Sequence, residues 1–339
     1  MEFSFFFPTN DRGGTHIVGC LMQGLHQLGH KIYSNIPVHE FVSHGIFPAF
    51  SSLFPGEIEV TPDMSRGCLI VDAFNGLGNF SRPLIDAAKT NKIVLLDMND
   101  SSNYRDYDES FLVFKVHSNS NAIRGGRIFP MGFGITQEAI EFTKQEEFSL
   151  ARDGILRNFR PSINQTVRNC LDLILVPRLK DHFKITENIS TQSQYLTDLK
   201  THKAVLAYGG DIYNDLRLNP YFLGNKEFEF QKLASEPVIM RFDSWRYYEA
   251  ALFGTCPIAL DFERYGLETG ANPVAWKEYI PIDFSQINAT MSKIVKSAQD
   301  DPLFFEKIGR NARDWVLNNH SPVAVAQRIL NVLRMQGMV

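Results

Sequence analysis

The sequence predicts an α/β protein with parallel sheets, and three observations support this prediction. Apolar segments of strand length alternate with segments of helical periodicity along the chain. Polar residues follow several of the apolar segments, as they do where the strands of an open parallel sheet end. At 339 residues the chain is long enough for two domains of ordinary size. We expect an N-terminal domain over residues 1–140 and a C-terminal domain over residues 141–339.

The N-terminal half follows the pattern of strand, helix and strand. A helix is expected at 16–28, because its apolar residues fall on one face and Gly29 can end it. The strands of this half are expected at 3–7, 31–34, 68–73, 92–97 and 111–116.

The C-terminal half repeats the alternation after a charged connecting segment at 136–147. Ser321 and Pro322 suit the N-cap and the first turn of a last helix. We expect strands at 148–151, 204–208, 237–240 and 257–260, and helices at 163–174, 245–253, 303–317 and 322–333.

Composition and charge exclude several classes of protein. A hydrophobic content of 44% supports sizeable cores and excludes a disordered chain. The 34 Lys and Arg residues nearly balance the 38 Asp and Glu residues, which leaves a net charge of −4. Such a chain has no overall field that favours phosphate backbones, so nucleic acid is not an expected partner.

The cysteines and apolar runs bear on location. The four cysteines lack CxxC spacing and lie in apolar surroundings, which is typical of free thiols in a reducing compartment. The opening MEFSFFFP stops at Pro8 and is predicted to be a strand rather than a signal peptide. No apolar run reaches the roughly 18 residues of a transmembrane helix. We therefore expect a cytoplasmic protein without a transmembrane segment, and peripheral membrane contact stays open.

The most informative segment covers residues 240–260, where a strand end is followed by a polar turn and a helix. Asp243 or Ser244 can cap this helix, whose free amides would face the ligand side of the sheet and can hold a diphosphate. Arg246 in the first turn can bind phosphate oxygens, and Glu249 on the same helix face suits sugar hydroxyls. The alternative is that Arg246 and Glu249 form a solvated pair on an ordinary helix.

This segment resembles the donor-binding module of GT-B glycosyltransferases, particularly its exostosin-like form. The pattern is Ser-x-Arg, Glu, a Gly turn and a Pro-hydrophobic strand, matched by Ser244, Arg246, Glu249, Gly254 and Pro257. The likeness extends loosely to the turn that contains Gly209 and Gly210 and to the helix around Trp315. It implies two Rossmann-like domains facing each other across a cleft, with the donor on the C-terminal domain. The last helix would pack back on the N-terminal domain.

The resemblance implies a glycosyltransferase that moves a hexosyl or pentosyl group. The donor would be a nucleotide sugar, and the acceptor a hydroxyl of a glycan or glycoconjugate. Arg246 would contact the donor diphosphate and Glu249 the ribose or the transferred sugar, with no metal and no cofactor besides the donor. The alternative is a non-catalytic sugar- or nucleotide-binding scaffold of the same fold. A nicotinamide-dependent oxidoreductase ranks third, because the first turn lacks the GxGxxG fingerprint.

Three residues of the N-terminal half are candidate general bases, in the order Asp97, His117 and His16. Asp97 and His117 directly follow predicted strands, where ligands gather in open α/β sheets. The alternative interpretations are a capping aspartate and a hydrogen-bonded histidine.

The first turn contains Asp11, Gly13 and Gly14, where the backbone must turn tightly or pass close to a ligand. In the GT-B interpretation this loop would face the acceptor and the cleft. The alternative is a tight turn with no ligand.

Five further residues are weaker candidates for binding the donor or a metal. Arg152 and Arg157 follow the first predicted strand of the C-terminal half and can face donor phosphates, or they can be solvated. Asp106 and Asp108 form a DxD pattern of the kind that holds a metal–diphosphate, although a solvated acidic loop is favoured. Trp245 can stack on a base or a sugar beside the proposed site.

Overall fold

The computed structural model describes most of the chain in separate ranges. These are residues 1–8, 15–36, 59–60, 66–73, 92–98, 110–121, 127–144, 152–159, 165–187, 191–213, 238–242 and 244–339. The helices are α1 (Thr15–Gln27), α2 (Gln137–Lys144), α3 (Thr166–Ile174), α4 (Val176–Lys180), α5 (Gln192–Thr201), α6 (Trp245–Leu252), α7 (Ile287–Asp300), α8 (Phe304–His320) and α9 (Pro322–Met335).

A seven-stranded parallel sheet forms the N-terminal half, in the order β3-β2-β1-β4-β5-β6-β8. Its strands are β1 (Glu2–Phe6), β2 (Lys31–Ser34), β3 (Glu59–Val60), β4 (Cys68–Asp72), β5 (Ile93–Asp97), β6 (Leu112–Lys115) and β8 (Ile128–Pro130). Buried side chains lie on both faces of this sheet, which explains why β4 and β5 are continuous apolar runs rather than alternating ones.

A five-stranded parallel sheet forms the core of the C-terminal half, in the order β10-β9-β11-β14-β16. Its strands are β9 (Ile155–Arg157), β10 (Ile185–Glu187), β11 (Ala204–Leu206), β14 (Cys256–Leu260) and β16 (Ile280–Ile282). Two antiparallel pairs lie outside the sheets: β12 (Asp211–Tyr213) with β13 (Val238–Met240), and β7 (Ser118–Asn119) with β15 (Leu267–Glu268).

The two parallel sheets with their helices confirm the expected α/β fold class. The strand expected at 148–151 lies outside the described residues, and the C-terminal sheet instead opens with β9. Its three residues are too few for periodicity to identify, and only their pairing with β10 and β11 makes them a strand.

The carboxyl edges of the two sheets meet at the pairing of β7 with β15. β7 follows the carboxyl end of β6, and β15 follows the carboxyl end of β14. The partners Asn119 and Leu267 are both buried. Residues that extend from these edges therefore lie between the two halves.

The last helix, α9, packs against α1 of the N-terminal half. The two helices approach closely at Gly24, where a Cβ atom would lie 1.8 Å from the Pro322 carbonyl oxygen. Only a residue without a side chain fits there. The Cys20 thiol in α1 also bonds the Ile135 carbonyl oxygen at 3.3 Å, next to the chain that leads into α2.

The described residues bear on two expectations, the absence of a transmembrane helix and the burial of the cysteines. Within those ranges, no helix combines the length and apolar character needed to span a membrane. Cys20, Cys68 and Cys256 are buried free thiols, whereas Cys170 is exposed on α3 and does not pack as a small hydrophobe.

We predict that Gly24→Ala destabilises the protein, because α1 and α9 must move apart to admit the methyl group. Overpacking of this kind lowers the free energy of unfolding by about 1–3 kcal/mol. Urea denaturation measures the change. Val323→Ala, in the exposed first turn of α9, is the control and should change stability much less. Equal stability of Gly24→Ala and the parent would contradict the close approach.

Candidate functional site

The strand order of the C-terminal sheet marks where a ligand can bind. The chain runs from β9 to β10 on one side and returns to β11 on the other, so the carboxyl ends of β9 and β11 border a topological switch point. Open α/β sheets bind ligands in the crevice at such a point. The residues there are Asn158 and Phe159 after β9, and Tyr208 and Gly209 after β11.

Two arginines bind the backbone at this switch point. Arg246 in α6 donates from Nε to the carbonyl oxygen of Asn158, and Arg168 in α3 donates from Nε to that of Tyr208 at 3.3 Å. These bonds fix each guanidinium through Nε. A paired set of terminal nitrogens on each group can then bind phosphate oxygens.

A third arginine belongs to the same cluster. Burial and, to a smaller extent, the positive charges of Arg246 and Arg241 together lower the pKa of Arg168 to about 10. Arg241 follows β13 and has a φ of 54°, an uncommon conformation for a residue with a side chain. We call Arg168, Arg241 and Arg246 the arginine cluster. A bound anion would offset the repulsion between the guanidinium groups of the cluster.

The arginine cluster has a neighbouring carboxylate on β12. Burial raises the pKa of Asp211, and the hydrogen bond from Thr166 and the positive charges of Arg241 and Arg168 only partly oppose this effect. Its Oδ1 accepts a hydrogen bond from the backbone amide of Thr166 at 3.3 Å, at the start of α3. Asp211 therefore belongs to the turn that holds α3 in place.

Arg157, the last residue of β9, is bound within the C-terminal half. Its guanidinium forms an ion pair with Asp172 of α3 and lies over the ring of Phe159 at 4.5 Å. Asp172 raises the pKa of Arg157 through the hydrogen bond between them. The structure places Arg157 beside the arginine cluster, with its charge paired.

Gly209 and Gly210 link β11 to β12 and lie next to the arginine cluster. A Cβ at Gly209 would lie 3.6 Å from Nη2 of Arg168. Gly210 has a φ of 115°, and a Cβ there would lie 2.8 Å from the carbonyl oxygen of Met240. A side chain at Gly210 would thus be strained and would also collide with β13.

Helix α6 begins at the predicted position. Ser244 is its N-cap residue, but the Ser244 side chain does not cap the helix by a hydrogen bond. Asp243, the other predicted cap, lies outside the described residues. Of the two predicted caps, Ser244 therefore takes the N-cap position without the side-chain bond that the sequence suggested.

Glu249 is only 5% exposed, so the alternative of a solvated pair with Arg246 is wrong. Burial raises the pKa of the Glu249 carboxyl, and the positive charge of Arg246 opposes this effect. The charge of Glu249 in turn helps to raise the pKa of the buried Tyr195 hydroxyl on α5. Glu249 therefore lies in the protein interior, close to both Arg246 and Tyr195.

Trp245 does not offer both ring faces to a ligand. Its indole stacks on Phe133, with ring centroids 4.8 Å apart and an interplanar angle of 5°. Phe133 comes from the segment that follows β8 in the N-terminal half. Trp245 thus joins the two halves, and the stacking on a base expected for it is blocked on the face that Phe133 covers.

Arg152 does not lie at the carboxyl edge of the C-terminal sheet, which corrects the expectation for it. The residue precedes β9, at the amino edge of the sheet, whereas the arginine cluster lies at the carboxyl edge. Its guanidinium bonds the carbonyl oxygens of Phe253 at 2.7 Å and Gly254 at 2.6 Å, where α6 ends. Arg152 therefore caps the carboxyl end of α6.

The candidate bases of the N-terminal half are enclosed. Asp97 and Lys115 form a fully buried ion pair of 2.9 Å between the ends of β5 and β6. His117 is 1% exposed and packs edge-on against Phe133 and Phe242. These contacts join structural elements and do not support either residue as a general base.

The other predicted residues of the N-terminal half lie wholly or partly outside the described residues. Asp11, Gly13 and Gly14 lie outside the described residues, and so does the DxD pair Asp106 and Asp108. His16 is in α1, but its side chain lies outside the described part. Among the described residues, no group of three or more His, Cys, Asp or Glu side chains could hold a metal ion.

Sequence reasoning missed Arg168 and Arg241. Arg168 occupies the first turn of the helix that follows β9, which is where a strand-end ligand meets the next helix. Arg241 lies within the segment singled out in the sequence, but no role was assigned to it there. The strand order that brings both residues to the switch point is not visible in the sequence.

Comparisons with known proteins give a weak likeness in fold. No family model matches the chain, and no curated protein matches its sequence. AviGT4, a glycosyltransferase involved in avilamycin A biosynthesis, has a TM-score of 0.46 and 11% identity over 99% of this chain and 98% of its own. A glycosyltransferase from Rickettsia africae has a TM-score of 0.48 and 11% identity, over 98% of each chain.

A third structure was determined with a nucleotide. HepE from Anabaena, in complex with UDP and glucose, has a TM-score of 0.45 and 12% identity over 99% of this chain and 100% of its own. At TM-scores below 0.5, no residue role is transferred from these proteins to this chain.

We predict a pH-dependent stability difference between the parent protein and Glu249→Gln. Because burial raises the folded-state pKa of Glu249 above the ordinary value of 4.5, the folded state holds its proton more tightly than the unfolded state. The carboxyl's contribution to stability is therefore largest below 4.5 and falls as pH rises through the raised pKa. The glutamine variant lacks this dependence, and should gain stability relative to the parent as pH rises.

Urea denaturation of both proteins between pH 4.5 and pH 8 measures this difference. Glu141→Gln is the control: the hydrogen bond from Lys144 lowers the pKa of exposed Glu141, so its contribution is lost only below pH 4.5, and the difference for this variant should stay nearly constant over the range measured. A difference for Glu249→Gln that stays constant over this range would contradict burial of a titrating carboxyl.

Proposed function

We propose that this protein is a glycosyltransferase of the GT-B type, which transfers a sugar from a nucleotide-activated donor to a hydroxyl acceptor. The observation that carries the proposal is the arginine cluster at the switch point of the C-terminal sheet. A nucleoside diphosphate presents two adjacent phosphates, and guanidinium groups bind such oxygens in pairs. Two members of the cluster, Arg241 and Arg246, belong to the unit formed by β13 and α6. The same unit carries the pattern that resembles the GT-B donor module, with Ser244, Arg246 and Glu249.

In this mechanism the arginine cluster stabilises the leaving group. As the bond between the sugar and the diphosphate breaks, negative charge develops on the departing phosphate oxygen. Arg168, Arg241 and Arg246 would neutralise that charge from fixed positions, so little reorganisation is needed during the reaction. Gly209 and Gly210 would let the donor approach the backbone.

Glu249 would act on the donor through its negative charge. Its carboxyl group, held close to Arg246 inside the protein, can orient the guanidinium or accept hydrogen bonds from ribose or sugar hydroxyls. A hexosyl or pentosyl group as the transferred unit and a glycan or glycoconjugate as acceptor are further parts of this proposal.

A second candidate function is a nucleotide-binding scaffold without turnover. The observation that favours it is the burial of Asp97 and His117, which leaves neither placed to accept a proton from an acceptor hydroxyl. Incubation with a panel of UDP- and GDP-sugars and glycan acceptors separates the two functions. Consumption of donor in the presence of acceptor supports the transferase, whereas nucleotide binding without consumption supports the scaffold.

We predict that Arg168→Ala and Arg246→Ala each weaken UDP binding at least about tenfold. Hydrogen bonds to charged groups contribute about 1.5–3 kcal/mol, and each 1.4 kcal/mol is a factor of about ten in affinity. Isothermal titration calorimetry measures the change. Arg178→Ala is the matched control, because Arg178 is exposed on α4 and binds Asn288 of α7. Parental affinity in either folded cluster variant would remove that arginine from the site.

We predict that donor consumption persists after exhaustive treatment with EDTA. The arginine cluster and the amides at the start of α6 would supply the positive charge that a metal supplies elsewhere. The measurement is release of nucleoside diphosphate before and after chelation. Loss of activity that returns with manganese or magnesium would instead favour a metal site at Asp106 and Asp108.

A further inference from the structure

A buried amide of the N-terminal half connects to the arginine cluster of the C-terminal half. Asn119 in β7 is fully buried. Its Nδ2 donates to the carbonyl oxygen of Ile239 at 2.7 Å and to that of Tyr265 at 3.0 Å. Its Oδ1 accepts a hydrogen bond from the backbone amide of Asn121 at 2.8 Å. One side chain thus holds three backbone segments together.

The contact with Ile239 fixes a strand that ends at the site. Ile239 is the middle residue of β13, and Arg241 follows directly after that strand. Arg241 keeps a left-handed backbone, which persists only where the surrounding structure enforces it. The bond from Asn119 to Ile239 anchors the chain immediately before this strained residue.

The same strand is also linked to the helix that carries Arg168. β13 pairs with β12, so that Met240 lies opposite Asp211. At the start of β12, the Gly210 carbonyl oxygen accepts from Val167 at 3.0 Å, and Thr166 Oγ1 accepts from the Ile212 amide at 2.8 Å. These bonds hold the first turn of α3, which carries Arg168. Asn119 is therefore linked through β13 and β12 to two of the three arginines.

We propose that Asn119 is a positioning residue of the diphosphate site: from the N-terminal half, it fixes the place of Arg241 in the C-terminal half. This inference rests on the proposed function. It means that phosphate affinity in the C-terminal half depends on an amide of the other half. Asn119 does not touch the ligand and acts through Arg241.

The test measures binding of UDP and of inorganic pyrophosphate to the full chain by calorimetry. Asn119→Ala should weaken both ligands about tenfold or more, because a displaced guanidinium loses its charge-assisted contacts. Ser118→Ala is the matched control, because it removes the hydroxyl that binds Glu268 in the same strand pair and leaves the Asn119 amide and its bond to Ile239 in place. Its affinities should equal those of the parent.

A double-mutant cycle distinguishes positioning from general damage. If Asn119 acts through Arg241, then Asn119→Ala should cause no further loss in an Arg241→Ala background. Losses that add, a loss for UDP but not for pyrophosphate, or parental affinity in folded Asn119→Ala would each overturn the inference. If Asn119→Ala does not fold, Asn119→Ser, which keeps one donor, is judged by the same criteria.

The two levels of proposal fail in different ways. A parent protein that binds neither UDP, GDP nor pyrophosphate would overturn the proposed function, and the role of Asn119 with it. A parent that binds these ligands while the Asn119 variants bind equally well would overturn only the positioning role.

Discussion

The antiparallel pairing of β7 with β15 is the constraint on which the candidate site depends. Parallel strands place all their carboxyl ends at one edge of a sheet, and this pairing brings the two carboxyl edges together. The packing of α9 on α1 and the stacking of Trp245 on Phe133 hold the halves at further points. Side chains of one half can therefore support residues of the other, as Asn119 does for β13.

The arginine cluster has an electrostatic cost that the fold must offset. Burial and the neighbouring charges of Arg246 and Arg241 make it costly to charge Arg168, and together they lower its pKa to about 10. Backbone carbonyls at the ends of β9 and β11 hold Arg246 and Arg168 in place despite this repulsion. A site whose cations are already held together needs little rearrangement to bind a diphosphate, because the cost has been met in folding.

Local patterns in the sequence predict part of the site, but contacts distant in the chain do not appear in them. Arg246 could be found because a strand, a polar turn and a helix succeed one another within one short segment. Arg168 could not, since its place depends on β9 and β11 being neighbours in the sheet. The expectation for Arg152 failed because the residue precedes β9, a strand too short to be recognised in the sequence, and so lies at the amino edge of the sheet. The stacking of Trp245 on Phe133 could not be predicted from the sequence, because Phe133 lies in the other half.

The two carboxyl edges differ in how their charges are balanced, and this difference decides which edge can bind an anion. At the N-terminal edge, Asp97 and Lys115 are buried together, so each cancels the charge of the other and the desolvation of both is offset by their attraction. At the C-terminal edge, Arg157 is paired with Asp172, whereas Arg168 and Arg246 are bound to carbonyl oxygens, which carry no net charge. A carbonyl oxygen orients a guanidinium without neutralising it. Among the described residues, Glu249 and Asp211 lie near these arginines, but neither forms a buried ion pair like that of Asp97 with Lys115. This difference favours the C-terminal edge for the proposed diphosphate.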